Sequence, residues 1–164
     1  MAALWKLPII FVVENNRYAM GTAVTRSSAE THFWRRGEAF RIPGMVCNGM
    51  DVLEVRGTAE AAIDFVRAGH GPVILEAQTY RYRGHSMSDP AKYRSREEVQ
   101  QVREKSDPIE GLKDDLDAAG IHEDELKAID KEIRAIVNEA ADFAETSPES
   151  DAAELYTDVL VGNY

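Results

Sequence analysis

The sequence predicts an α/β fold in which a parallel sheet with flanking helices is followed by a helical segment. Residues 7–13 and 73–77 are apolar runs rich in β-branched side chains, the composition of strands buried on both faces. A helical pattern separates these runs, and alternation of strand and helix is typical of a parallel sheet. Beyond residue 95 the apolar spacing is that of helices alone, which predicts the C-terminal helical segment.

The sheet region is predicted to contain three strands and two helices. The strands are expected at residues 7–13, 52–55 and 73–77, and the helices at residues 29–40 and 58–67. The first strand has the character of a central one, and a turn at Asn48-Gly49 precedes the second. Thr58 is expected to cap the second helix, which the glycines at 69 and 71 end.

Residues 79–95 follow the last strand without apolar periodicity, and they are predicted to form a loop. A loop of this length is usually functional or disordered. Helices are expected after it, because Ser95 begins a capping-box pattern and Asp107-Pro108 is typical of a helix start. A long amphipathic helix is predicted over residues 123–145.

Composition and charge exclude several classes of protein. Of the 164 residues 44% are apolar and 29% are charged, which indicates one globular domain, and no apolar run approaches the roughly 18 residues of a membrane span. Cys47 is the only cysteine, so neither a disulfide nor a cysteine metal site is expected, and a reducing compartment is favoured. Residues 1–96 hold 13 Lys and Arg against 9 Asp and Glu (+4), whereas residues 97–164 hold 6 against 20 (−14). The acidic half argues against nucleic acid, whose phosphates need clustered cations.

The first candidate site is the polar segment after the strand at residues 7–13. It begins Glu14-Asn15-Asn16-Arg17, and ligands of open α/β sheets bind beyond the carboxyl ends of the strands. On its own, an Asn-Asn pair fits a polar turn better than a binding site. The longer string over residues 8–22 is far more specific.

The second candidate site is the loop over residues 79–95, which contains Tyr80-Arg81-Tyr82-Arg83-Gly84-His85-Ser86-Met87-Ser88-Asp89-Pro90. Arg81 supplies a planar guanidinium that fits phosphate. His85 titrates near neutrality and can donate to an anion or to a carboxylate-bearing substrate. Gly84 lets the backbone approach a ligand closely. Taken singly, these residues also fit an ordinary solvated surface.

Together the two strings resemble the alpha subunits of thiamine-diphosphate-dependent pyruvate dehydrogenases. The first, Pro-Ile-Ile-Phe-Val-Val followed by residues 14–22, is similar to the second half of their cofactor motif, and the second is similar to their active-site loop. The resemblance covers nearly the whole chain, including residues 105–109 and the last helices. It implies a partial thiamine-diphosphate-binding fold. It also implies an oxidoreductase that decarboxylates pyruvate and passes the acetyl group to a lipoyl-bearing acyltransferase.

The resemblance also implies roles for particular residues. Asn16 corresponds to the amide ligand of a Mg²⁺ that bridges the phosphates of the cofactor, and Tyr18 corresponds to the backbone-carbonyl ligand. Arg81 and His85 are expected to face the cofactor and the substrate channel, with His85 as the catalytic group. Ser86 is the counterpart of the main phosphorylated serine of eukaryotic relatives. A second serine phosphorylated in some relatives is absent, so the loop looks bacterial and kinase control is not expected.

Met1 corresponds to an internal residue of this family, so the chain is expected to be the C-terminal portion of a longer subunit and inactive by itself. The Gly-Asp-Gly that supplies the Asp ligand in the family does not occur in the sequence. The expected organisation is a truncated cofactor-binding domain over residues 1–95, including the loop 79–95, and a helical extension of the same domain over residues 96–164. The family implies a beta subunit in an α2β2 assembly, located in a bacterial cytoplasm or alternatively in a mitochondrial matrix. No membrane or nucleic-acid partner is expected.

Two other functions stay open from the sequence. One is the alpha subunit of another 2-oxo acid dehydrogenase or of an acetoin dehydrogenase, although residues 17–22 and 84–88 favour pyruvate. The other is a non-catalytic fragment that only binds a partner subunit.

Overall fold

The computed structural model describes residues 1–157 of the chain. The chain falls into two compact units, of which the first spans Met1–Leu116 and the second begins at Asp117. Within residues 1–157 no helix combines the length and the apolar character that crossing a membrane requires. The first unit contains the sheet and both candidate sites. The division after residue 95 that the sequence suggests stays a prediction.

The first unit consists of a small parallel sheet, its helices and a short hairpin. In chain order the elements up to the end of the fourth helix are β1 (Ile10–Asn15), β2 (Tyr18–Ala19), β3 (Thr22–Ala23), α1 (Val24–Ser27), a 3₁₀ helix (Phe33–Phe40), β4 (Gly44–Asn48), α2 (Val52–Arg67), β5 (Val73–Gln78), α3 (Arg96–Ser106) and α4 (Pro108–Ala118). The hairpin is the antiparallel pair β2 and β3. Residues 79–95 contain neither helix nor strand, as predicted.

Strands β1, β5 and β4 form the sheet in that order, and both pairings are parallel. The predicted α/β class, a parallel sheet with flanking helices, is therefore confirmed. The carboxyl ends of the strands are in register, since Asn15 and Asn48 both lie opposite Gln78. Both candidate sites consequently start from one edge of the sheet, because each follows the carboxyl end of a strand.

The strands predicted at residues 7–13 and 73–77 are present as β1 and β5, with slightly shifted ends. β1 lies at an edge of the described sheet rather than in its centre, because β5 is its only partner among residues 1–157. Phe11 and Val12 of β1 are accordingly 42% and 65% exposed. The central strand is β5, in which Val73, Leu75 and Glu76 are buried.

The prediction of a strand over residues 52–55 is wrong, because these residues form the first turn of α2. The Asp51 side chain accepts a hydrogen bond from the Glu54 N–H at 2.9 Å, so the helix begins well before Thr58. Thr58 lies inside the helix, where its hydroxyl donates to the carbonyl of Glu54 at 2.9 Å. The strand of this region is β4, which precedes the turn.

The helix predicted over residues 29–40 is shorter and of the 3₁₀ type. It begins at Phe33, after the extended His32, and ends at Phe40, before Arg41, whose backbone is left-handed with a φ of 56°. Gly37 is buried within it, and a Cβ there would lie 2.4 Å from the carbonyl oxygen of Ile42. The tight turn of this segment therefore requires glycine.

A small apolar core lies between the sheet and α2. Its buried members are Cys47, Ala62, Val66, Val73 and Leu75. Cys47 is thus a small buried residue, and burial raises the pKa of its thiol. The core joins the strands to α2, which holds the carboxyl edge of the sheet in place.

The remaining helices begin where their capping signals predict. The Ser95 hydroxyl accepts from the Glu98 N–H at 3.0 Å, and the Asp107 carboxylate accepts from the Ile109 N–H at 3.0 Å. In the second unit, α5 (Glu123–Thr146) confirms the long helix expected over residues 123–145. A 3₁₀ helix, Ala152–Tyr156, follows it and was not predicted.

Candidate functional site

The segment between β1 and the hairpin forms a tight turn at the carboxyl edge of the sheet. Asn15 ends β1 and is buried, and Arg17 has a left-handed backbone with a φ of 67°. The Asn15 side-chain oxygen accepts a hydrogen bond from the Arg17 N–H at 3.0 Å, while the Arg17 carbonyl accepts from the Val24 N–H at 3.0 Å. Asn16 and Tyr18 flank Arg17, so these bonds orient both of them.

Asn15 is held in turn by a buried carboxylate that the sequence reading missed. Its side-chain nitrogen donates to Oε1 of Glu76 at 2.6 Å, and Oε2 of Glu76 accepts from the Trp34 N–H at 2.9 Å. The signal for Glu76 was present in the sequence as one acidic residue within an apolar strand. Its partners were not visible, because Trp34 lies far from it along the chain.

The structure brings three of the predicted site residues together. One terminal atom of the Asn16 amide lies 2.9 Å from the Tyr18 carbonyl oxygen, and the other lies 2.8 Å from Nη2 of Arg81. With its nitrogen towards Tyr18, the amide donates to that carbonyl and accepts from Arg81. After a half-turn, two oxygens face each other at the same separation with no proton between them.

Arg94 connects the two candidate sites, a role that no motif in the sequence indicated. Its guanidinium donates to the carbonyl of Asn16 at 2.8 Å and to the carbonyl of Arg81. The same group lies over the rings of Tyr80 and Tyr18, 4.2 Å and 4.8 Å from their centroids. The end of the loop is thereby fastened to the turn after β1.

Asp89 organises the outer part of the loop. Its carboxylate accepts from the backbone N–H groups of His85 and Ala91, at 2.8 Å and 2.9 Å, and from the Tyr93 hydroxyl at 2.9 Å. The hydrogen bonds from His85 and then Ala91 lower the pKa of this carboxyl. Gly84 faces the same residue, since a Cβ there would lie 2.3 Å from the carbonyl oxygen of Asp89.

Two tyrosines fasten the start of the loop to the helices that follow it. The Tyr80 hydroxyl donates to Glu98 at 2.8 Å, and the Tyr82 hydroxyl donates to Asp107 at 3.2 Å. Burial, assisted by the contact with Glu98, raises the pKa of Tyr80 to about 12. Both phenols therefore keep their protons, and these contacts, throughout the neutral range.

His85 and Ser86 lie on the exposed part of the loop. The backbone N–H of His85 is bonded to Asp89, but its imidazole makes no hydrogen bond within residues 1–157. The Ser86 hydroxyl lies 3.0 Å from that of Ser88. No hydrogen bond joins either side chain to the cluster of Asn16, Tyr18 and Arg81.

A cavity of about 340 Å³ opens beside the turn. Its walls include Asn15, Arg17, Tyr18, His32 and Gln78. Among residues 1–157 no three His, Cys, Asp or Glu side chains cluster as a metal site would require. The polar side chains on its walls are amides, hydroxyls, one imidazole and one guanidinium group. The hydrogen-bond donors among them suit an anion.

Comparison with known proteins gives one consistent result. The model of the family described as "Dehydrogenase E1 component" matches residues 1–153. The chain is 62% identical over 164 residues to the pyruvate dehydrogenase E1 component subunit alpha of Zymomonas mobilis. It is 60% identical over 162 residues to the protein of the same name from Rhizobium meliloti, and 52% identical over 157 residues to the human somatic mitochondrial form.

The chain spans about half the length of the curated relatives that it matches. All of this chain aligns with 46% of the Zymomonas protein, 98% of it with 47% of the Rhizobium protein, and 94% of it with 40% of the human protein. The similarity therefore covers almost every residue described here, including both candidate sites.

Proposed function

This chain belongs to the dehydrogenase E1 component family, and we propose that it forms part of the alpha subunit of a pyruvate dehydrogenase. The assembled enzyme would decarboxylate pyruvate and transfer the acetyl group to a lipoyl-bearing acyltransferase. The observation that carries the proposal is the meeting of Asn16, Tyr18 and Arg81 at the carboxyl edge of the sheet. The names of relatives that are 62% and 60% identical over nearly the whole chain support the choice of substrate.

The geometry of Asn16 and Tyr18 fits two neighbouring ligands of a Mg²⁺ ion. Mg²⁺ binds oxygens at about 2.0–2.1 Å in octahedral geometry, so adjacent ligands lie about 2.9 Å apart. The Asn16 amide atom and the Tyr18 carbonyl oxygen are separated by 2.9 Å. A half-turn of the amide makes both atoms oxygens, and these two would then supply one edge of the octahedron. The Asp ligand that the family resemblance implies belongs to a Gly-Asp-Gly turn, which these 164 residues do not contain.

The same residues suit the diphosphate of thiamine diphosphate. This cofactor, when bound, supplies the electron sink for loss of CO₂ from a 2-oxo acid. Arg81 would pair with phosphate oxygens, because its guanidinium offers a planar fork of donors. Asn16 and Tyr18 would orient the diphosphate through the metal. The part played by this chain is thus to bind and position the charged end of the cofactor.

His85 is proposed as the group that faces the substrate. Its imidazole is exposed and unbonded within residues 1–157, while its backbone is fixed by Asp89. An imidazole in this state is free to donate a hydrogen bond to a carboxylate or another anion. We therefore assign to His85 the binding of the carboxylate-bearing substrate, and to Ser86 the position where eukaryotic relatives are phosphorylated.

The proposed partners follow from the proposed enzyme. They are a beta subunit, in an α2β2 assembly, and the lipoyl-bearing acyltransferase that receives the acetyl group. The location would be a bacterial cytoplasm or, alternatively, a mitochondrial matrix, as for the relatives whose names include the word mitochondrial.

The decisive experiment is Asn16→Ala in the assembled enzyme. We expect Mg²⁺ and thiamine diphosphate to bind much more weakly by calorimetry, and pyruvate turnover to fall at limiting Mg²⁺, because alanine offers no ligand oxygen. Asn138→Ala is the matched control, since Asn138 is exposed on α5. Unchanged affinity at limiting Mg²⁺ in the Asn16 variant would contradict the proposal.

A substrate panel separates pyruvate dehydrogenase from its alternatives. Another 2-oxo acid dehydrogenase or an acetoin dehydrogenase would use the same arrangement of Asn16 and Tyr18 and would prefer a different substrate. A fragment that only binds a partner subunit would leave the complex inactive with every substrate. We expect pyruvate to be turned over fastest. We also expect residues 1–164 alone to bind the metal weakly, because they offer two neutral ligands.

A further inference from the structure

Glu76 is an acidic side chain in the most protected part of the molecule. It lies in the central strand β5, opposite Val13 of β1 and Val46 of β4, and none of its surface is exposed. Burying a carboxyl group is unfavourable unless its oxygens are hydrogen-bonded. No Lys, Arg or His pairs with Glu76 within residues 1–157, so its environment consists of neutral donors.

Both carboxyl oxygens of Glu76 act as acceptors. Oε1 accepts from the side-chain nitrogen of Asn15 at 2.6 Å, and Oε2 accepts from the Trp34 N–H at 2.9 Å. One carboxylate therefore joins the end of β1 to the start of the 3₁₀ helix. A neutral isostere such as glutamine cannot replace it, because glutamine has one acceptor oxygen and two donors face it.

The contact with Asn15 fixes the conformation of the turn that follows. With its nitrogen held by Glu76, the Asn15 amide must direct its oxygen towards Arg17, where that oxygen accepts the backbone N–H at 3.0 Å. The Asn15 carbonyl accepts from the Thr79 N–H at 2.9 Å, which fixes the other end of the residue. Arg17 is left-handed, a conformation that non-glycine residues adopt only when neighbouring contacts hold it.

We propose that Glu76 is a positioning residue for the metal site. Through Asn15 it holds the left-handed Arg17, and so directs the Asn16 amide and the Tyr18 carbonyl to the same point. The role of Glu76 towards Mg²⁺ rests on the proposed function. Its role in holding the turn at Arg17 does not. Glu76 touches neither the proposed metal nor the substrate, and acts through Asn15 alone.

The chain allows a test in which the hydrogen-bond polarity is broken and then restored. Glu76→Gln places an amide nitrogen against one of the two donors, and Asn15→Asp places two carboxylates against each other. In the double variant the new glutamine nitrogen donates to the new aspartate, and the glutamine oxygen accepts from the Trp34 N–H. The second aspartate oxygen still accepts from the Arg17 N–H, so all three bonds return.

The variants are made in the assembled enzyme, and two properties are measured. Calorimetry gives the affinity for Mg²⁺ with thiamine diphosphate, and hydrogen exchange gives the protection of the Arg17 amide. We expect each single variant to weaken Mg²⁺ binding about tenfold or more, since an unpaired buried donor or a repelled carboxylate is costly. We expect the double variant to return to within about threefold of the wild type, given that all three bonds are restored. Glu38→Gln is the control, because Glu38 is an exposed carboxylate of the 3₁₀ helix, outside both candidate sites.

Three results would overturn the inference. The first is wild-type Mg²⁺ affinity in both single variants. The second is unchanged hydrogen-exchange protection of the Arg17 amide in Glu76→Gln. The third is a double variant as weak as the singles, which would make Glu76 a packing residue only. If the wild-type enzyme bound neither ligand, the proposed function would fail, and with it the role towards the metal. The exchange of the Arg17 amide would still decide whether Glu76 holds the turn.

Discussion

At the scale of single residues, the candidate site depends on side chains that join distant parts of the chain. Arg94 is the clearest case, since its guanidinium binds the carbonyls of Asn16 and Arg81 and packs over Tyr80. Its Nε is buried without a partner. Lysine cannot reproduce this arrangement, because its ammonium is a compact charge rather than a planar fork.

We predict that Arg94→Lys releases the loop over residues 79–95. Hydrogen bonds from charged donors contribute on the order of 1.5–3 kcal/mol, so amide protection in the loop should fall about tenfold or more. Hydrogen exchange with mass spectrometry measures this, with Arg103→Lys as the control. Arg103 lies over the Tyr82 ring at 5.7 Å and is exposed. If the loop amides of Arg94→Lys stay as protected from exchange as those of the wild type and of Arg103→Lys, the contacts of Arg94 do not hold the loop.

Gly84 provides a second test at this scale, because the loop has no room for a side chain there. A Cβ at Gly84 would lie 2.3 Å from the Asp89 carbonyl oxygen, whereas one at Gly57 in α2 would meet nothing within 4 Å. Gly84→Ala is expected to destabilise the loop by about 1–3 kcal/mol through overpacking. Gly57→Ala is expected to stabilise α2 by about 0.5–1 kcal/mol. Hydrogen exchange of the loop and denaturant unfolding of the chain separate the two effects.

The sequence indicated those site residues that belong to continuous strings and missed those that act across the fold. Asn16, Tyr18 and Arg81 lie within the two strings on which the family resemblance rests. Glu76 and Arg94 have roles set by contacts with residues 61 and 78 positions away. Periodicity and spacing describe neighbours within a few residues, and they carry no information about which strands become adjacent.

At the scale of elements, capping signals and β-propensity each predicted part of the structure, and both failed in the region of α2, where neither the cap at Thr58 nor the strand over residues 52–55 is present. The caps at Ser95 and Asp107 and the long helix α5 are observed where they were predicted. The run Val52-Leu53-Glu54-Val55 looks like a strand by composition, yet Asp51 in front of it starts a helix. A four-residue run with three apolar side chains fits a strand or a helix, and the cap at Asp51 decided between them.

Asp51→Ala tests this explanation directly. Loss of the N-cap should destabilise α2 by about 0.5–2 kcal/mol, because the Glu54 N–H is left without its acceptor. Thr58→Ala should have a much smaller effect, since Thr58 lies in the interior of the helix. Denaturant unfolding of both variants gives the comparison. A larger loss of unfolding free energy in Thr58→Ala than in Asp51→Ala would indicate that α2 begins at Thr58, as the sequence alone predicted.

The loop, as an element, should depend on acid through Asp89. The hydrogen bonds from His85 and Ala91 lower its pKa below the ordinary value of 3.8. A lowered pKa in the folded state means that stabilisation is present above 3.8 and is lost as the pH falls through the lowered pKa. We therefore expect protection of the His85 amide to persist at neutral pH and to disappear in acid below pH 3.8.

Asp89→Asn provides the comparison for this pH dependence. Asparagine has one acceptor oxygen where three donors converge, so the His85 amide should exchange faster at neutral pH and should lose its steep dependence on acid. The measurement is hydrogen exchange of the loop across the acid range in both proteins. A loop that stays protected in acid, or in the variant, would show that other contacts hold it.

At the scale of the whole molecule, the described sheet has an open edge. β1 pairs with β5 alone among residues 1–157. It therefore lies at an edge of the described sheet, whereas its apolar sequence predicted a central position. A strand that is apolar on both faces is normally covered on both. The chain spans about half the length of the relatives it matches, and in the described residues Phe11 and Val12 of β1 stay exposed.

We predict that residues 1–164, produced alone, self-associate through β1. An unpaired strand edge with apolar side chains is a template for pairing with another copy, and Val12 is 65% exposed there. Val12→Lys should shift the chain towards the monomer, because a charge on an edge strand opposes pairing. Sedimentation at several concentrations measures the change.

Val137→Lys is the matched variant, since Val137 is 59% exposed on the apolar side of α5. If Val137→Lys dissociates the chain and Val12→Lys does not, the association surface is the helix rather than the sheet edge. If the unmodified residues 1–164 stay monomeric at every concentration, the predicted self-association through β1 is wrong.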